Sequence, residues 1–349
     1  MVKINKLGIL LEKTKHHFED EGVLNPAVIK VGDTIHLFYR AVTKDNYSTI
    51  GYCALSGPMK VKSRNEQPIL VPQAGYEFQG LEDPRIVQIE GIFYLTYTAY
   101  DGTNAMGALA TSVDLINWKK EGLLVPKLTY DEFVHFAATE DTIQEKYIRF
   151  NAYQKGSESQ LQKIYIWNKN LVFFPRKING KFFFLHRIKP DIQIVMSIEK
   201  LEDLTVDFWQ SYFSKFKNTI VLSPKYDHEA SYIGSGCPPV ETADGWVIIY
   251  HGVRDSISGY VYSACAALLD LENPQKEIAR LPYPLFFPEK KWELKGAVNN
   301  VCFPSGTILE KDTLYIYYGA ADERIAVASL SLKELLAELA INKTTHHDK

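Results

Sequence analysis

Short aromatic and aliphatic runs punctuated by Gly, Pro and Asp recur along the chain, and one arrangement returns five times. A Pro is followed by a turn near Gly, Asn or Asp, and then by an apolar strand that usually ends in a polar residue. The copies are Pro26 with Ile35–Arg40, Pro84 with Phe93–Thr98, Pro175 with Phe182–Arg187, Pro239 with Trp246–His251, and Pro304 with Leu314–Tyr318. Asn179-Gly180 and Asp244-Gly245 supply the positive φ that tight hairpins need. The strands are apolar almost throughout, as expected where both faces are covered.

A second strand rich in small residues follows each first one, as in Gly107-Ala108-Leu109-Ala110 and Ala264-Cys265-Ala266-Ala267. Small side chains let neighbouring sheets approach. Further strands are expected near Asn117-Trp118-Lys119 and Ile278-Ala279-Arg280. Five such units predict an all-β fold, a five-bladed β-propeller with short helical insertions and a C-terminal helix. The alternative is a sandwich or irregular all-β fold. The insertions are Lys127–Lys163, helical over Tyr130–Glu145, and Ser197–Phe216, where Leu201, Leu204, Phe208 and Tyr212 follow helical spacing. Leu332–Leu339 reads as the terminal helix. Residues 1–340 are expected to form one domain and 341–349 a disordered tail.

Composition narrows the function. Among 349 residues, 39 Lys and Arg against 42 Asp and Glu give a net charge of −3, so no overall basic field invites nucleic acid or anionic lipid. Aromatics reach 13%, which suits strands and a site that stacks sugar rings. Cys53, Cys237, Cys265 and Cys302 lack zinc or redox spacing and read as buried thiols. No signal peptide or membrane-length apolar run is visible, so the expected location is cytoplasmic. The pairs His16-His17 and His346-His347 have no spaced partners, and no metal site is expected.

Polar residues near the ends of the repeats would converge at the mouth of a propeller channel: Arg40, Asp83 with Arg85, Asp101, Lys169, Arg187, His251 and Asp322. Several cations beside few acids suit an anionic co-substrate handled next to a carboxyl group. Asp83, in Gly80-Leu81-Glu82-Asp83-Pro84-Arg85, is the best acid. As a general acid it needs its proton near neutral pH, through burial or a carboxylate neighbour such as Glu82. Arg85 is then expected to face away from the Asp83 carboxyl or to hold backbone. The bland alternative is a turn in which Arg85 pairs with the acids.

These motifs, with Lys169–Pro175, Leu185-His186-Arg187, Gly234–Pro239, Tyr250-His251-Gly252 and Tyr318–Asp322, make the chain similar to glycoside hydrolase family 130 from about Asn25 to Ser329. That family holds β-mannoside phosphorylases and some β-1,2-mannosidases on a five-bladed propeller. The resemblance implies inversion, with Asp83 as catalytic acid acting through a sugar hydroxyl. It implies that Lys169, Arg187 and His251 bind phosphate, and that Arg40 and Asp322 grip the mannosyl unit. Asn25, Asp101 and Tyr318 join them as substrate-binding candidates. Inorganic phosphate would be the co-substrate, with no other cofactor. The partner would be a manno-oligosaccharide or mannosylated glycan, and a homo-oligomer is compatible.

One departure keeps hydrolysis open. Phosphorylases of the family commonly carry Lys or Arg where Tyr232 stands, and Glu229 is placed to serve as a water-activating base, or to pair with Lys225 or His228. An inverting hydrolase needs such a second carboxylate about 6.5–9.5 Å from the first. A non-catalytic carbohydrate-binding propeller is the remaining alternative.

Overall fold

The computed structural model describes residues 1–138, 145–147 and 163–344. After a first strand β1 (Asn5–Leu11), the chain builds successive antiparallel meanders. The first is β2 (Gly22–Val31), β3 (Thr34–Thr43), β4 (Tyr47–Leu55) and β5 (Val61–Arg64). The second is β6 (Gly80–Ile89), β7 (Ile92–Tyr100), β8 (Ala105–Ser112) and β9 (Lys119–Leu123). A single parallel bridge, Ser48 to Gly80, links these two into one larger sheet. Gly80 has φ +153°, and a Cβ there would lie 2.8 Å from Ser48 backbone, so only glycine permits this approach.

The third meander is β10 (Lys169–Phe173), β11 (Phe182–Arg187), β12 (Ile192–Ile198) and β13 (Ile220–Leu222). Helix α1 (Tyr130–Ala137) precedes it, and α2 (Val206–Ser214) sits between its last two strands. The fourth is β14 (Tyr232–Ser235), β15 (Val240–Thr242), β16 (Gly245–Ser256), β17 (Gly259–Leu269) and β18 (Glu277–Arg280). A short helix α3 (Lys291–Leu294) leads into β19 (Cys302–Glu310), β20 (Thr313–Ala320) and β21 (Arg324–Ser331). Strand β1 pairs with β21, so the start of the chain completes the last sheet. Helix α4 (Leu332–Ile341) closes the chain.

The hairpins follow their turn residues. Glu90-Gly91 and Asn179-Gly180 have positive φ at both central positions, which matches strand twist. The core is distributed rather than central, in apolar clusters that each join two consecutive meanders. Phe38 and Ile50 meet Leu95 and Ala108; Leu109 meets Leu171 and Phe184; Leu185 meets Trp246 and Ala267; Ala266 meets Ile316 and Ala326. The last cluster packs Tyr317 and Val327 against Val23 and Leu37 of the first meander. The small residues of β8, β17 and β21 lie inside these contacts, as their size requires.

Several expectations shift at the edges. Trp118 precedes β9 rather than lying in it. The first insertion is helical over Tyr130–Ala137 and again at residues 145–147; residues 139–144 of the expected helix, and 148–162, lie outside the described residues. The second insertion is helical over Val206–Ser214, starting after the Leu204 expected to join it. Helix α4 runs through Ile341, and Thr344 donates its N–H to the Ile278 carbonyl, so residues 341–344 are held against β18. Residues 345–349 lie outside the described residues. All four cysteines are buried and free. No helix among the described residues is long and apolar enough to cross a membrane.

One construction repeats in four of the five meanders. A glutamate in a short helical turn is fully buried, accepts a hydrogen bond from a tyrosine of an inner strand, and pairs with a cation. Glu19 takes Tyr39 Oη at 2.6 Å and Arg64 at 2.8 Å. Glu77 takes Tyr97 at 2.7 Å and Lys120 at 2.6 Å. Glu229 takes Tyr250 and, at 3.5 Å, Arg280; Glu293 takes Tyr318 at 2.6 Å and Lys6 at 2.7 Å. The third meander departs: buried Asp191 accepts from Tyr147 and Lys146 of the insertion. Buried acids persist only when fully partnered. Removing one should leave its cation uncompensated. Glu77→Ala is therefore expected to lower unfolding free energy by about 3 kcal/mol in urea titration, and a loss below about 1 kcal/mol would mean the triads contribute little.

Candidate active site

A local backbone device creates the site. The first strands of three meanders carry the same irregularity, a shift in register between Leu24 and Ala27, between Glu82 and Arg85, and between Lys169 and Val172. At each shift one residue adopts left-handed backbone: Asn25 at φ 50°, Asp83 at φ 50° and Asn170 at φ 56°. Asn and Asp tolerate this conformation best among residues with side chains. A bulge re-aims its side chain, and here all three line one cavity of about 170 Å³.

Asp83 and Asn25 touch directly, with Asn25 Nδ2 donating to Asp83 Oδ1 at 2.6 Å. Arg85 holds backbone, as expected. It donates to the Asp83 carbonyl at 2.6 Å and to the Gly236 carbonyl at 2.9 Å, with its guanidinium over the Phe303 ring. Glu82 pairs instead with Arg40 at 2.8 Å and faces Lys169 Nζ at 3.8 Å. Arg40 is further fixed by Ser48 Oγ at 3.1 Å and Asn46 Oδ1 at 3.0 Å. Lys169, Arg187, Asp322, Trp167, Tyr232, Tyr262 and Phe303 complete much of the wall.

The electrostatics divide the two aspartates that line the cavity. Burial pushes Asp83 up, but Lys169, Arg85, Arg40 and the Asn25 hydrogen bond together hold its carboxyl below the ordinary value. Sequence reasoning expected a proton on Asp83 near neutral pH, and this cation-rich surrounding keeps the carboxyl ionised instead. Asp322 is pushed up to about 6, first by burial and then by the charges of Asp83 and Glu82 against the pull of Arg40. Burial lowers Lys169, although Glu82 and Asp83 oppose it.

His251 does not line the cavity. It is fully buried behind Arg187, 3.5 Å from that guanidinium, and its ring stacks on Phe303 at 4.4 Å between centroids. Burial and nearby cations hold its imidazole well below its ordinary value, so it is neutral. Gly234 makes room for it, since a Cβ there would lie 2.5 Å from the imidazole.

Three candidates lie elsewhere. Asp101 caps the β7–β8 hairpin, accepting from the Thr103 and Asn104 N–H groups at 2.9 and 2.7 Å. Tyr318 is buried and donates to Glu293. Glu229 is fully buried, with its oxygens taken by Tyr250, Arg280 and the N–H groups of Lys225 and Tyr226. It belongs to the repeated triads and does not line the cavity, so it lacks the access to water that a base needs. His228, Glu229 and Cys265 offer ligand atoms within 4.8 Å of one another, but the Glu229 oxygens are already committed and burial raises the Cys265 thiol.

Buried polar atoms with no protein partner lie on three of the lining residues: Asn25 Oδ1, both amide atoms of Asn170, and Arg187 Nε. Buried polar groups are almost always satisfied, so such a cluster is built for a polar ligand. Sequence reasoning missed Trp167, Asn170, Lys189, Tyr262 and Phe303. Asn170 alone had a signal, through its match to Asn25 and Asp83 at the start of each repeat.

The chain matches the family described as beta-1,4-mannooligosaccharide phosphorylase over residues 11–340. It is 33% identical over 348 residues to 1,2-beta-oligomannan phosphorylase of Thermoanaerobacter sp. (strain X514), spanning 96% of this chain and 99% of that protein. It is 32% identical to Beta-1,2-mannobiose phosphorylase of the same organism, over 96% of this chain and 98% of the relative. Among solved structures, a Beta-1,2-mannobiose phosphorylase from Listeria innocua in complex with beta-1,2-mannobiose superposes with a TM-score of 0.72. It covers 97% of this chain and all of that one, at 22% identity.

If Lys169 is a main cause of the low Asp83 value, Lys169→Met should make the Asp83 carboxyl titrate at higher pH. Carbon-13 NMR of aspartate-labelled protein reads this. An unchanged or lower value would remove Lys169 from the account.

Proposed function

The chain belongs to glycoside hydrolase family 130, and on that premise we propose that it cleaves β-mannosides by inverting phosphorolysis, releasing α-mannose 1-phosphate. The observation that carries this is the bulged Asp83 carboxyl in one cavity with Lys169 and Arg187, beside the unpartnered Arg187 Nε. Phosphate is a nucleophile that needs no base. It needs cations that place it and spread its charge, and those residues supply them.

The five meanders, with apolar clusters joining each to the next and the last to the first, support reading them as blades of one five-bladed propeller over residues 1–340. In this reading Asn25, Arg40 and Asp322 hold the mannosyl unit. Asp83 delivers the proton, and His251 braces Arg187 from behind rather than touching phosphate. The low Asp83 value then has a purpose. A phosphate dianion among Lys169 and Arg187 offsets the cations that keep Asp83 ionised, so the co-substrate favours the proton on the acid. Of the acids that could activate water, Glu82 is engaged by Arg40 and Lys169, Glu229 is engaged by Tyr250 and Arg280 away from the cavity, and Asp322 is assigned to the mannosyl unit. This favours phosphorolysis over hydrolysis.

The two relatives matched over nearly their full length carry β-1,2 in their names, so β-1,2-linked manno-oligosaccharides are the proposed substrates. A product that keeps the bond energy as a sugar phosphate is useful where membranes retain it, which favours the cytoplasm. Incubation with β-1,2-manno-oligosaccharides is expected to show cleavage only with phosphate, and Asp83→Asn should lose about 10²–10⁴-fold in kcat while staying folded. Equal cleavage without phosphate would overturn the proposal.

A further inference from the structure

Lys189 lies in the loop between β11 and β12, and its amine enters the cavity with Lys169, Arg187, Tyr232 and Tyr262. Its Nζ sits 3.9 Å from the centroid of the Tyr232 ring. The Arg187 guanidinium lies over the same ring at 5.3 Å. The ring is held by the Tyr232–Tyr262 hydroxyl contact at 2.5 Å. Of the neighbouring acids, Glu82 pairs with Arg40 and Lys169, Asp83 accepts from Asn25, and Asp191 accepts from Lys146 and Tyr147, while Asp322 lines the same cavity without pairing with Lys189. Among the described residues no carboxylate pairs with Lys189.

The geometry points to Lys189 as a further cation gripping the phosphate, with the Tyr232 ring as its seat. This rests on the phosphorolytic reading of the cavity. A half-buried lysine of purely structural use is normally paired with a carboxylate, and Lys189 is not. Here the Lys189 amine and the Arg187 guanidinium share one aromatic face, a weaker partner than a carboxylate. Burial first, and then repulsion from Arg187 and Lys169, push the Lys189 ammonium down to about 6, toward the neutral amine. A doubly charged anion between Lys189 and Arg187 relieves it, and also partners the lone Arg187 Nε. The seat keeps the amine within reach of Arg187 while leaving its N–H groups for phosphate oxygens.

The test is calorimetric titration of inorganic phosphate into wild type, Lys189→Met, Lys189→Gln and Lys189→Arg, each checked by thermal unfolding. Both neutral variants are expected to bind phosphate about 10- to 100-fold more weakly, and the Arg variant to recover most of it. In steady state the neutral variants should raise KM for phosphate far more than they change kcat, and leave KM for manno-oligosaccharide near wild type. Wild-type phosphate affinity in a folded neutral variant overturns the inference, as does a wild type that binds no phosphate. A wild type that cleaves equally without phosphate, yet binds it through Lys189, overturns the phosphorolytic reading and leaves this assignment standing.

Discussion

The buried guanidinium of Arg85 is the contact on which the site depends. It reaches from the second meander to the Ser235 and Gly236 carbonyls of the fourth, and back to the carbonyl of Asp83. A cation this deep must be compensated; carbonyl dipoles and the Phe303 face do so at contact, and the Asp83 charge adds to them without a direct ion pair. Two consequences follow. The left-handed turn at Asp83 is pinned by its own carbonyl, so the bulge has one geometry. The Asp83 carboxyl is spared an ion pair with its neighbour and turns to Asn25 and the cavity.

The rest of the electrostatics grows from that arrangement. Arg40, Lys169, Arg187 and Lys189 face the same space as Glu82, Asp83 and Asp322. Asp83 is drawn down by the cations, whereas Asp322 is pushed up by burial and by the other two acids. Two carboxyl groups of one cavity thus hold protons to different pH. Such separation lets one cavity bind a sugar and move a proton. The cations in turn need an anion, and the account makes that anion the nucleophile.

Much of this was legible in the sequence, for reasons that can be named. Turn residues and aromatic strands announced the meanders, because hairpins demand Asn-Gly or its like and doubly covered strands demand continuous apolar runs. Asp83 and Asn25 were legible because each precedes a Pro at the head of its repeat. The misreadings came from recurrence itself. Glu229 looked like a lone acid beside the site, yet Phe18-Glu19, Tyr76-Glu77, His228-Glu229 and Trp292-Glu293 repeat an aromatic–Glu pair that fastens each sheet. Tyr318 belongs to the same fastening and Asp101 to a hairpin. Recurrence marks scaffold as readily as site, and only burial and partners tell them apart. Lys189 was illegible because its role comes from a ring 43 positions away in sequence, brought under it by packing of the third meander on the fourth.

The central claim is that phosphate attacks the anomeric carbon while Asp83 supplies the proton on the opposite side. Proton NMR of the first product formed from a β-1,2-manno-oligosaccharide in phosphate buffer tests this most directly. The account predicts mannose 1-phosphate in the α configuration, appearing as phosphate is consumed and absent with Asp83→Asn. Free mannose as the first product, or the β phosphate, would contradict it.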